Sequence, residues 1–66
     1  MNDKSKKKDV AKMIRELRAK LGLTQEQFAA KVGVTFSTVN RWESGRSTPS
    51  PLAMRQLREL QREING

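Results

Sequence analysis

Gly33 constrains this chain more than any other residue, because it separates two short stretches of helical pattern with only a turn of backbone to join them. The surrounding stretch, residues 21–45, reads LGLTQEQFAAKVGVTFSTVNRWESG. Thr24 has the side chain of a helix N-cap, and Gln27 stands three residues on, in the capping-box position. Phe28, Ala29 and Val32 then form a buried face. Gly33 falls where a helix ends in a left-handed residue, so that Val34 can tuck an apolar side chain beneath the turn. Thr35 is the cap of a second helix, on which Val39 and Trp42 recur at i and i+3 on the inward side before Gly45 stops it. Ser37, Asn40, Arg41 and Ser44 fall at i, i+3, i+4 and i+7, together on the opposite side. One short helix therefore carries a packing face and a hydrogen-bonding face.

The flanks supply the rest of a core. From Asp9 to Leu21 the apolar positions Val10, Met13, Ile14, Leu17 and Leu21 repeat at helical spacing, with Asp9 as cap and Gly22 as terminator. After the polar loop RSTPS (46–50), Ser50 and Pro51 are a capping hydroxyl followed by a proline at the first helical position. Ala53, Met54, Leu57, Leu60 and Ile64 mark the apolar stripe of a last helix. No stretch alternates as a strand would, and no segment repeats. The expected fold is all-α, a bundle of four to five helices in one domain over 9–66, preceded by a disordered basic arm over 1–8 (MNDKSKKK).

Helices this short are marginal alone, so they must share one interior. Its expected members are Val10, Ile14, Leu17 and Leu21, then Phe28, Ala29, Val32 and Val34, then Val39 and Trp42, and finally Ala53, Leu57 and Leu60. Ala29 has to be small where two helices cross closely.

Composition removes whole classes of function. The chain has 66 residues, no Cys and no His. Thiolate and imidazole ligands, the usual general bases and a disulfide brace are thus missing, and the seven carboxylates fall mostly at solvated positions. An enzyme, a cofactor and a bound metal are not expected. Fourteen Lys and Arg against seven Asp and Glu give a net charge of +7. Residues 1–8 carry +3 of it, with four lysines and one aspartate, which leaves +4 on the remainder. Such a charge attracts a polyanion without specifying a sequence. No apolar run is long enough to span a bilayer and the basic N-terminus has no apolar stretch after it, so a location in the cytoplasm or on the nucleoid is expected.

The order of these signals, with Thr24-Gln25-Glu26, small Ala29, Gly33, apolar Val39 and Trp42-Glu43-x-Gly45 in register, resembles the helix-turn-helix domains of lambda-type repressors, Cro proteins and their XRE-like relatives. The resemblance spans roughly residues 9–60. It implies a transcriptional regulator that reads double-stranded DNA by laying a recognition helix, about residues 35–44, in the major groove. Thr35, Phe36, Ser37 and Arg41 would meet bases, and Arg41 has the forked donor geometry that fits a guanine edge. Gln25, Asn40, Ser44 and Arg46 would meet phosphates, Gln25 with help from the positive end of its helix. Arg18 and Glu43 would form an ion pair tying the first helix to the recognition helix, with Trp42, Ala29 and Gly33 structural. Phe36 and Ser37 stand where relatives often have long amides, which directs readout toward a thymine methyl and a hydroxyl contact. A homodimer on DNA is a further state that the resemblance allows.

Two residues admit competing interpretations. Trp42 could stack on a base, but its spacing from Val39 puts it in the interior. Phe36 lies on the flank of its helix, where base contact and partial burial over the turn both remain open. The main alternative function is a protein-interaction module, such as an antitoxin or an adaptor to the transcription machinery, that binds its partner through the helix over 51–64. Met54, Leu60 and Ile64 would be the residues left uncovered there. RNA binding is disfavoured by the lack of an aromatic platform.

Overall fold

A computed structural model of the protein describes residues 3–65. It contains four helices: α1 (Asp3–Leu21), α2 (Gln25–Val32), α3 (Phe36–Glu43) and α4 (Pro51–Asn65). No strand occurs among the described residues. The all-α expectation holds, at the lower of the two helix numbers.

Local chemistry explains where each element begins and ends. At the start of α2, Thr24 Oγ1 accepts from the Gln27 amide at 3.1 Å while Gln27 Oε1 accepts from the Thr24 amide at 2.9 Å, a complete capping box. At its end Gly33 takes φ +86°, and the amides of Gly33 and Val34 both donate to the Ala29 carbonyl, at 2.8 and 2.9 Å. Only glycine adopts that backbone at little cost. Thr35 caps α3 through its side chain, which accepts from the Thr38 amide. Gly45, at φ +77°, closes the far end, with its own amide donating to Trp42 and that of Arg46 to Arg41. The hydroxyl of Ser50 caps α4 by accepting from the Ala53 amide at 3.2 Å, and Pro51 occupies the first position.

The beginning of α1 differs from the sequence expectation. Asp9 is no cap but an exposed residue inside a helix that already runs from Asp3, so the segment expected to be a disordered arm is helical from residue 3 onward. Residues 1 and 2 of that arm, and residue 66 of the domain, lie outside the described residues. Lysine is a good helix former, and no glycine or proline interrupts residues 3–21. Once Ile14 and Leu17 anchor α1, each further turn adds hydrogen bonds without a new nucleation cost. Ala11 is buried and Val10 half-buried, which extends the anchored face by another turn.

One interior joins the four helices. Phe28, Ile14, Leu57 and Val39, one from each helix, are its largest fully buried side chains. Leu17, Ala29, Val32, Trp42 and Ala53 complete it, with Val10, Met13, Leu21, Leu23, Val34, Met54, Leu60 and Ile64 packed around the edge. Val10, Leu21, Val34 and Leu60, expected inside, thus lie at the rim. Ala11 is buried without having been expected, because an alanine carries little weight in an apolar pattern. α3 packs on α1 and α2, and α4 packs on the same two helices, so α1 and α2 form the support between them.

Candidate nucleic-acid interface

The sidedness of α3 creates the site. Val39 is fully buried and Trp42 is 4% exposed, which removes the indole from any role in base stacking. A quarter-turn or more away, Ser37, Asn40, Arg41 and Ser44 are all exposed and share the outer edge. Phe36, at the front of the helix, is 46% exposed. More than half of its surface is covered and the rest is open, so partial burial over the turn and an accessible face occur together.

Not every residue of the expected set is equally free. Thr35 Oγ1 accepts from the Thr38 amide and lies 2.9 Å from Thr38 Oγ1, so its hydroxyl is largely engaged in capping. Ser44 Oγ donates to the Arg41 carbonyl at 3.1 Å. Arg46 is exposed in the loop after α3. Gln25 departs furthest from expectation. Instead of pointing its amide outward from the head of α2, it is half-buried and donates from Nε2 to Glu43 Oε1 at 3.0 Å. The reason is local: Glu43 is the buried charged residue of the described chain, and its carboxylate has lone pairs to satisfy.

Glu43 is accordingly a hub. Arg18 grips it with both prongs of the guanidinium, Nε to Oε2 at 2.7 Å and Nη2 to Oε1 at 3.1 Å, while Nη1 reaches the Leu23 carbonyl at 3.1 Å. The side chains are 26% exposed for Arg18 and 6% for Glu43. The hydrogen bond to Glu43 raises the pKa of Arg18, burial opposes it, and the carboxylate charge adds to the rise. Arg15 Nη1 donates to the Glu43 backbone carbonyl at 2.6 Å, placing a cation at the negative end of α3. α1 and α2 therefore hold the last turn of α3 by polar contacts as well as by packing. The ion pair between Arg18 and Glu43 is the one the family resemblance implies, whereas the parts of Arg15 and Gln25 are not anticipated. The surplus of acceptors on a carboxylate one residue after the buried Trp42 is the available signal.

Two short helices joined at a left-handed glycine, the second buried along one edge and open along the other, define a helix-turn-helix. The chain belongs to the helix-turn-helix family, whose model matches residues 14–60. Over 52 residues it is 54% identical to a protein of Methanothermobacter thermautotrophicus described as an uncharacterized HTH-type transcriptional regulator, a match that covers 77% of this chain and 75% of that one. Over 37 residues it is 54% identical to an uncharacterized HTH-type transcriptional regulator of Archaeoglobus fulgidus, covering 56% of this chain and 53% of that one. No solved structure matches it. No helix among the described residues is long and apolar enough to cross a membrane.

Proposed function

We propose that this protein is a transcriptional regulator that binds double-stranded DNA, with α3 in the major groove. The observation that carries the reading is the exposed edge of Ser37, Asn40 and Arg41 on a helix whose other edge is fixed by Val39, Trp42 and Glu43. Such a helix presents its donors and acceptors without first having to become ordered, which lowers the entropic cost of binding.

Within this reading Arg41 is the principal base reader, with its fork directed to a guanine edge. Ser37 and Phe36 supply a hydroxyl and an apolar contact, the latter matched to a thymine methyl. Thr35 takes part mainly through its methyl group, because its hydroxyl is engaged with Thr38. Asn40, Ser44 and Arg46 meet the flanking phosphates, Ser44 after releasing the Arg41 carbonyl. The head of α2 also receives a phosphate, through backbone amides of its first turn rather than the Gln25 side chain, which is turned to Glu43. The net charge of +7 adds attraction that is independent of sequence. A homodimer would place two such helices on a symmetric site. Binding rather than catalysis is in keeping with the family and with a chain that lacks Cys and His.

Selection of bound sequences from a random duplex pool tests this directly. An enriched motif is expected, two-fold symmetric if two copies bind together. A pool that emerges without enrichment refutes specific reading.

A further inference from the structure

α1 has two flanks, and only one of them serves the recognition helix. Arg15 and Arg18 reach toward Glu43. On the other flank, Lys6 and Val10 border Pro51, Met54 and Arg58 of α4 around a depression of about 320 Å³. Further along the same seam, Met13, Leu17 and Lys20 border Gln61 and Ile64. The floor of this seam is apolar but incompletely covered, since Val10, Met13, Met54 and Ile64 all stay partly buried at the edge of the core. Its rim is cationic. Lys6, Lys20 and Arg58 line the two depressions against one carboxylate, Glu16.

We propose that the seam between α1 and α4 is a docking groove for an acidic amphipathic helix of a partner protein. The two depressions together flank α4 from Met54 to Ile64, about 15 Å at ~1.5 Å per residue, a spacing that matches a helix of about three turns bearing apolar side chains at i, i+3 or i+4, and i+7. Two methionines in the floor suit it to side chains of varied shape, because an unbranched thioether repacks easily. Charge selects the occupant. Asp or Glu flanking the partner's apolar stripe would face Lys6, Lys20 and Arg58. A second copy of this chain fits poorly, since the outward side of α4 mixes Arg55, Arg58 and Arg62 with Glu59 and Glu63 and has Leu52 as its exposed large apolar side chain, which makes neither an acidic flank nor an apolar stripe. A nucleic acid would meet the rim but leave the apolar floor without a partner. Because the groove uses the flank of α1 turned from Glu43, it can be filled while α3 is on DNA.

The test uses the full chain and a displayed library of helical peptides about sixteen residues long, some four turns. Leucine is fixed at i, i+3, i+4 and i+7, and the other positions are drawn from Asp, Glu, Lys, Arg, Ser and Ala. Recovered peptides are expected to be rich in Asp and Glu. The leading one, synthesised free, should shift the Met13 and Met54 methyl resonances saturably. Its affinity should fall about tenfold for the double variant Lys20→Glu, Arg58→Glu, whose circular dichroism checks that the fold is kept. Failure to enrich any peptide, enrichment indifferent to charge, shifts centred on α3, or undiminished affinity for the double variant would each overturn the proposal.

Discussion

Removing Arg18 should destabilise the protein more than removing Glu43, although the two share one ion pair. The difference lies in what each deletion leaves behind. Arg18→Ala strands a carboxylate whose side chain is 6% exposed, with Gln25 Nε2 as its remaining side-chain donor. Breaking a buried pair from that side costs about 3 kcal/mol, the low end of the usual range because Arg18 itself touches solvent. Glu43→Ala strands a guanidinium that is 26% exposed and keeps its bond to the Leu23 carbonyl, so it can turn to water. That loss is about 1–2 kcal/mol, roughly the hydrogen bonds and a small void. In a domain of 66 residues each kcal/mol moves the melting temperature by about 4–8 °C, so Arg18→Ala should melt some 5 °C or more below Glu43→Ala. Thermal and urea unfolding followed at 222 nm measures both. High salt provides the control, since at ~1 M the screening length is only about 3 Å and an exposed pair would lose its effect while this one should keep it. The raised pKa of Arg18 has a definite sign: its contribution is complete below the ordinary arginine pKa and is lost only as pH climbs through the higher folded value, so the ranking should not change across neutral pH. Equal losses from the two variants, or losses that vanish in salt, would refute the assignment of Glu43 as a buried hub.

Other substitutions probe separate parts of the molecule. Gly33→Ala meets no atom within 4 Å, so its cost is the left-handed backbone alone, about 1–2 kcal/mol; the melting temperature should fall while DNA affinity measured well below it is kept. Ala29→Leu forces a larger side chain into a position 3% exposed and should cost about 1–3 kcal/mol or more, whereas the exposed neighbour Ala30→Leu should be nearly neutral in the same melt. Arg41→Ala should reduce the preference for a selected site over random duplex by about 1–3 kcal/mol in anisotropy titrations, and an equal loss on both duplexes would remove it from the base-reading set. Lys7→Ala with Lys8→Ala should weaken all duplexes alike and lower the slope of log affinity against log salt by about one for each phosphate no longer neutralised; a loss confined to the selected site would contradict the separation of charge from specificity.

The motif is readable because each of its decisions is local. A hydroxyl with an amide three residues later sets the start of α2, and a glycine after Val32 sets its end; neither depends on the rest of the molecule. Burial of Trp42 follows from its three-residue spacing to Val39 for the same reason. What the sequence conceals depends on distant partners. Composition alone makes MNDKSKKK look unable to order and so misplaces the start of α1, whereas a helix anchored further along can extend through such a segment. Gln25 is misdirected because its acceptor lies 18 residues away on another helix. Arg15, 28 residues from Glu43, sits on a helix position that pattern alone marks only as solvated.

These long-range polar contacts converge on one turn of α3, and that convergence bears on how so small a chain would read DNA under the proposed function. Hydrophobic packing of Val39 and Trp42 fixes the depth of α3 but constrains its rotation weakly, since apolar contacts are not directional. Hydrogen bonds to Glu43 from Arg18, Arg15 and Gln25 are directional, and they arrive from two different helices. A buried carboxylate is a poor way to gain stability, because its desolvation offsets most of the attraction. As a rotational stop it is effective. With Arg41 as the proposed base reader, a turn of α3 about its axis would sweep its tip across more than one base edge, and the grip on Glu43, two residues along on the opposite side, would resist that turn.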